Sequence, residues 1–210
     1  MCGRYYFDDT EYELQQIKKE LEAMQAEAVK AGEIFPTNTV PVICHTENKR
    51  EIAAVMWGFP RWNSSGVIIN ARSESALDKA MFRKATLESR CIIPASGFFE
   101  WEHTVGKPKD KYYLQRPNSG VLYMAGAISA FRSEDTSFLA FVIFTTAANG
   151  SMLAQETGLS LFESEPRLIH DRMPVILEAD ELDAWLFDNT FAALVLQRQG
   201  LELAMTRAEP

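Results

Sequence analysis

Cysteine is scarce in this chain. Three residues, Cys2, Cys44 and Cys91, occur among 210. Their number is odd and their spacing suits no metal motif, so neither a disulfide framework nor a metal site is expected, and a reducing compartment is. Long apolar runs are also missing. The longest, Phe138–Phe144, falls far short of the ~20 residues that a membrane helix needs. No basic segment followed by an apolar one opens the chain as a secretory signal would. These absences lead to the expectation of a cytoplasmic protein without a membrane partner. An excess of basic residues is absent too: 21 Lys and Arg stand against 29 Asp and Glu, a formal charge of −8. That argues against a surface that coats nucleic acid broadly. A local basic cleft remains open, because charges are screened within ~10 Å at 0.1 M salt. There is no repeat, low-complexity tract or linker, so residues 1–210 are expected to form a single domain, with monomer the default.

What is present is an ordinary globular composition, 47% hydrophobic and 24% charged. Tyr5-Tyr6-Phe7 reads as a strand. Thr10-x-x-Glu13 reads as a capping box, and Leu14, Ile17, Leu21, Met24 and Ala28 predict an amphipathic helix over Thr10–Ala31. Phe35–Asn38 opens a loop. Val40–His45 and Glu51–Trp57 predict a hairpin, and Gly58–Gly66 a loop carrying Trp62. A strand at Val67–Asn70 leads to a helix capped by Ser73 or Ser75 and running to about Leu87. Strands follow at Cys91–Pro94, Gly97–Glu102, Lys111–Arg116, Val121–Ala130, Phe138–Thr146 and Met173–Leu177. Val105–Asp110 reads as a turn and Asn149–Pro166 as an irregular, partly acidic insertion. Helices at Ala179–Phe187 and Thr190–Arg198 and a strand at Leu201–Thr206 complete the reading. The fold class is α+β.

Four stretches are odd as structure. The first is Met1-Cys2-Gly3-Arg4. An initiator Met before a small residue is normally trimmed, which would leave Cys2 with a free α-amine of pKa about 7.7–8.0 beside a thiol of about 8.5. Such a residue can condense with an aldehyde through its amine and close a thiazolidine through its thiol, or act as a thiol nucleophile with its own amine as base. A retained Met1 and a small buried Cys2 is the alternative. The second stretch is Ile69-Asn70-Ala71-Arg72-Ser73-Glu74. The third is Ser96-Gly97-Phe98-Phe99-Glu100-Trp101-Glu102, where strand alternation sets Phe98, Glu100 and Glu102 on one face and Phe99 and Trp101 on the other. The fourth is the polar turn Ile169-His170-Asp171-Arg172-Met173-Pro174. Each has an ordinary reading taken singly: Glu100 as an ion-pair partner, His170 as a structural histidine, Arg4, Arg72 and Arg172 in salt bridges. His45 and His103 sit beside hairpin turns and read as solvent-facing.

Together and in this order, Met-Cys-Gly-Arg, Ile-Asn-Ala-Arg-x-Glu, Gly-Phe-Phe-Glu-Trp and Ile-His-Asp-Arg-Met-Pro resemble the SRAP family, the SOS-response-associated peptidase proteins. Met56-Trp57-Gly58, Phe144–Asn149 and Leu182-x-x-Trp185-Leu186 add to the likeness. The resemblance implies twisted, mainly antiparallel sheets around an open barrel-like core with a few flanking helices. It implies a partner, single-stranded DNA with abasic sites, no cofactor, and association with the nucleoid when bound. It assigns Cys2 as the aldehyde-capturing nucleophile, His170 as general acid/base on the sugar, Glu100 as proton carrier and Asn70 as a hydrogen-bonding anchor. Arg4, Arg72 and Arg172 would grip phosphates, and Pro36 and Trp62 would wedge or stack on bases. The family name implies a second chemistry, a cysteine-type peptidase or autopeptidase through Cys2, and abasic-site lyase activity is a third. The chain departs from the family at Glu33–Asn38, where relatives commonly carry Arg-Tyr-Asn-x-Ala-Pro, and in a longer segment before His170.

Overall fold

The computed structural model describes residues 2–24, 29–47, 49–62, 64–102, 110–133, 136–154 and 167–208. Strand β1 (Arg4–Phe7) and helix α1 (Tyr12–Met24) come first. Strands β2 (Gly32–Ile34), β3 (Thr39–Thr46) and β4 (Lys49–Trp57) follow, then the short β5 (Phe59–Pro60), β6 (Val67–Ile68) and β7 (Asn70–Arg72). Helix α2 (Ala80–Glu88) leads into β8 (Arg90–Ala95), β9 (Gly97–Trp101), β10 (Lys111–Gln115), β11 (Leu122–Ser133) and β12 (Thr136–Ala147). The last third holds β13 (Leu153–Ala154), β14 (Arg167–Leu168), β15 (Arg172–Pro174) and β16 (Ile176–Leu177). Helices α3 (Leu182–Phe187) and α4 (Asn189–Val195) and strand β17 (Ala204–Arg207) close it.

The fold is α+β, with mainly antiparallel sheets around a barrel. Strands β4, β3, β8, β11 and β12 pair in that order, and β12 returns to pair with β4, in parallel, so the ring is closed rather than open. Closure removes the free strand edges that an open sheet would expose. Within the ring the strands approach closely at Gly126 of β11, where a Cβ would stand 2.5 Å from Ile93 Cδ1 and 2.6 Å from the Val142 carbonyl oxygen. The barrel core is mainly apolar; every residue of β8 is buried, the charged Arg90 among them.

A second, five-stranded antiparallel sheet has the order β17-β10-β9-β1-β2. Its inner face carries Tyr5, Phe7, Ile34, Phe98 and Leu114, all fully buried. The Tyr5 ring meets Trp57 of the barrel with centroids 5.2 Å apart, and Trp57 stacks on Phe141 at 6.3 Å and 6°. Each such side chain contributes about 1.5–3 kcal/mol by burial, so this seam fixes the sheet against the barrel.

Several expectations are corrected. Helix α1 begins at Tyr12 and has left helical form by Val29, with residues 25–28 outside the described set. Gly32–Ile34 instead pairs with β1, satisfying its backbone groups there. The Thr10–Glu13 capping box does not form. Asp8 Oδ1 accepts from Thr10 N and Oγ1, and Glu13 takes a hydrogen bond from the Tyr123 hydroxyl across the fold. The helix predicted from Ser73 splits into one 3-10 turn, Ser73–Ser75, and α2, because Lys79 is extended at ψ 120°. The stretch Ala179–Phe187 likewise opens with a 3-10 turn. Asp188 caps α4 by accepting from Thr190 N and Phe191 N. The turn at Val105–Asp110, His103, and residues 155–166 of the insertion lie outside the described residues, apart from Asp110 itself.

Candidate active site around Cys2

Cys2 is fully buried just ahead of β1. Asn70, the first residue of β7, donates from Nδ2 to the Cys2 carbonyl oxygen at 2.8 Å. Strand β7 runs parallel to β12, with Asn70 beside Ile143. One side chain of the barrel therefore ties down the N-terminal segment of the other sheet. The Cys2 thiol donates weakly to the Arg4 carbonyl oxygen at 3.6 Å. Burial, helped by the charge of Glu100, pushes the thiol pKa far above the cysteine range. The resting thiol is neutral.

Glu100 stands on β9 with Phe98 on the inward face, as alternation predicts, and is 3% exposed. Burial raises its pKa, and the charge of Asp171 acts in the same direction. Cys2 and Asp171 are thus both within electrostatic reach of Glu100. The loop before β15 brings the second group. His170 Nδ1 accepts from the Arg172 backbone N–H at 3.0 Å and lies 3.1 Å from Asp171 Oδ1. Asp171 is held in turn by Ala148 N–H, which donates to its carbonyl at 2.9 Å. Asn70 bonds the Cys2 backbone, the charge of Glu100 acts on the Cys2 thiol, and that of Asp171, next to His170, acts on Glu100.

The three arginines have different fates. Arg72 is exposed at the end of β7. Arg4 lies over the Phe35 ring at 4.2 Å and the Trp101 ring at 4.9 Å, and meets Glu33 Oε1 at 3.4 Å. Arg172, expected in the phosphate cradle, is 8% exposed, and its guanidinium is held by both Glu74 oxygens at 2.6 and 2.8 Å and by the Thr145 carbonyl. It bolts β15 to β12 and to the turn after β7. Arg90, in the basic middle third, is 3% exposed and donates to the carbonyls of Trp185 and Leu186.

Trp62 is 84% exposed. Pro36 is half-buried in a tight turn. Asn38 Oδ1 accepts from Phe35 N at 3.0 Å, and Thr37 N donates to the Trp57 carbonyl at 2.8 Å. Thr37 sits at φ 73°, an uncommon conformation for a β-branched residue. The turn is held rather than loose. Sequence reasoning missed Tyr5, whose buried hydroxyl has no hydrogen-bond partner among the described residues and whose pKa is raised first by burial and then by Cys2. It also missed Lys111, 2.7 Å from Glu33. A tyrosine in an aromatic strand and a lysine after a turn carry no local signal. No group of three His, Cys, Asp or Glu among the described residues stands in reach of one metal ion.

A family model described as SOS response associated peptidase (SRAP) matches residues 1–205. The chain belongs to the SRAP family. This SRAP chain is 28% identical over 193 residues to the abasic site processing protein YoqW of Bacillus subtilis, covering 89% of this chain and 80% of that one. It is 25% identical over 191 residues to the abasic site processing protein YedK of Escherichia coli, covering 89% and 79%. The abasic site processing protein HMCES of Xenopus tropicalis is 27% identical over 159 residues, covering 66% of this chain and 46% of its own. A crystal structure of a protein from Bacteroides thetaiotaomicron superimposes with a TM-score of 0.75 at 21% identity, covering 99% and 92%, which shows the fold.

Proposed function

We propose that the chain processes abasic sites in single-stranded DNA by covalent capture through Cys2. The observation that carries this reading is Cys2 held by Asn70 through its carbonyl at 2.8 Å, within electrostatic reach of the buried Glu100. Relatives named abasic site processing proteins support it.

The chemistry follows from an N-terminal cysteine. Once Met1 is removed, the Cys2 amine adds to C1′ of the ring-opened sugar and the carbinolamine loses water to give an imine. The thiol then adds to the imine carbon, forming the C–S bond, while its proton passes to the nitrogen. The net change is aldehyde plus aminothiol to thiazolidine plus water. A thiol kept neutral by burial suits this order, because the amine attacks first and the thiol needs to lose its proton only at ring closure. Glu100, with its pKa raised toward the working range, carries protons between amine, leaving water and thiol. His170 moves the proton that opens the sugar ring. Asn70 positions the Cys2 backbone. Arg4 and Arg72 grip flanking phosphates, and Trp62 and Pro36 stack on or wedge between bases.

The test is a denaturing gel of protein incubated with single-stranded DNA carrying one abasic site. A heat-stable adduct with wild type and none with Cys2→Ala or Cys2→Ser is expected. No adduct with wild type, or an equal one with Cys2→Ala, overturns the reading. Cleavage of a peptide substrate that disappears in Cys2→Ala would put a peptidase in its place. Intact mass shows directly whether Met1 is gone.

A further inference from the structure

We propose that Arg4 and Lys111 form a phosphodiester subsite on the outer face of the five-stranded sheet, and that the carboxylate of Glu33 occupies it and competes with nucleic acid. The inference rests on the reading above, in which single-stranded DNA is the partner, and adds Lys111 and Glu33 to it.

The geometry is that of an anion seat. Arg4 on β1 and Lys111 on β10 come from strands separated by β9, yet both reach one oxygen, Glu33 Oε1, at 3.4 and 2.7 Å. Their positions are set by aromatic planes. The Arg4 guanidinium lies over Phe35 and Trp101, and the Lys111 ammonium stands 4.1 Å from the Phe99 centroid and 6.0 Å from that of Trp101. Cation–π contacts of this kind hold a positive charge in place without neutralising it. Two cations share one carboxylate, so the seat keeps net positive charge. Glu33 meets only Nη1 of the Arg4 guanidinium, so the donors of that group are not exhausted by Glu33.

A phosphate oxygen makes the same contacts as the Glu33 oxygen, with further oxygens for the remaining donors. Arg4 is two residues from Cys2, at most ~7 Å along an extended chain, which is within reach of a phosphate flanking a sugar captured at Cys2. Burial works against the charge on Glu33, but the hydrogen bond and charge of Lys111, with those of Arg4, offset it and hold the carboxyl below its ordinary range. Glu33 is therefore ionised at neutral pH, and DNA must displace it. The consequence is a discriminating contact. A weakly held strand leaves Glu33 in place, and a strand that is also held at Arg72 evicts it.

The test is fluorescence anisotropy of a labelled single-stranded oligonucleotide with no abasic site, titrated at several salt concentrations with the full chain. Glu33→Gln is expected to tighten binding several-fold at low salt. It should also steepen the slope of log affinity against log salt by about 0.7 for each phosphate admitted. Adding Lys111→Met, which keeps the stem over Phe99, should remove about 0.7 of that gain. An unchanged or flatter slope, or no measurable binding by Glu33→Gln, overturns the proposal. So does an equal effect of Glu88→Gln, which makes the same charge change on α2. The oligonucleotide offers no aldehyde, so a steeper slope with no adduct in the denaturing gel would leave the subsite standing and remove covalent capture.

Discussion

The two faces of the β1–β9 strand pair differ in almost every physical respect, though they are built from alternate residues of the same segments. The inner face holds Tyr5, Phe98 and Glu100 among fully buried side chains. The outer face holds Arg4, Phe99 and Trp101 together with Lys111 and Glu33. On the inner face ionisable groups are shifted toward their neutral forms, because desolvation is the largest cause for Cys2, Tyr5 and Glu100 alike. On the outer face the charges persist, paired with each other and seated on rings. The difference teaches that one strand period separates buried, neutralised groups from paired surface charges; under the proposed function the first would transfer protons and the second would recognise phosphate.

The sharpest way to break this division is Glu100→Gln, which keeps the shape and removes the titrating group. Adduct formation is expected to slow by about 10²-fold, as for the loss of a general acid/base, while the affinity for intact single-stranded DNA stays at the wild-type value. Timed quenching on a denaturing gel and anisotropy read the two quantities separately. A large loss of affinity would show that the faces are not independent.

The next effect separates two arginines that look alike in sequence. Arg172→Ala should cost about 1–3 kcal/mol in chemical unfolding, since it leaves Glu74 and the Thr145 carbonyl without their donor. Arg72→Ala should leave stability unchanged and flatten the salt dependence of binding by about 0.7. The reverse pattern would move the phosphate contact from Arg72 to Arg172. Trp62→Ala is expected to weaken single-strand binding by about 1–3 kcal/mol with no change in Tm, because the ring is already 84% exposed.

The smallest effect is one of pH. Burial raises the Glu100 pKa in the folded state, so between its unfolded and folded values the native chain binds more protons than the unfolded one. Stability attributable to this carboxyl is full below the unfolded value of about 4.3 and falls as pH rises through the folded one. Glu100→Gln should therefore have a higher Tm than wild type at neutral pH, and the gain should vanish near pH 4, as scanning calorimetry would show. A Tm below wild type at neutral pH would mean that Glu100 is stabilised by its neighbours more than burial penalises it.

Much of the fold was legible in local pattern. The hairpin of β3 and β4, the long apolar strands β11 and β12, the amphipathic Leu14-Ile17-Leu21 stripe and the alternation of Phe98 and Glu100 against Phe99 and Trp101 stand where the sequence puts them. These signals are carried by residues a few positions apart. Of the candidate site, Cys2, Asn70, Glu100 and His170 were identifiable because their motifs stand in a family order. The residue types at those four positions are therefore what the sequence by itself determined. Only the tertiary structure decided that the barrel closes by pairing β12 with β4 and that Gly32–Ile34, past the predicted helix, extends a sheet. It also decided that Arg172 belongs to Glu74 while Arg72 faces solvent, and that Lys111 and Glu33 meet beside Arg4. The physical reason is distance along the chain. Glu33 and Lys111 are far apart in sequence, as are Glu74 and Arg172, and the choice of partner for a charge is made by which strands lie side by side, a property that no local pattern carries.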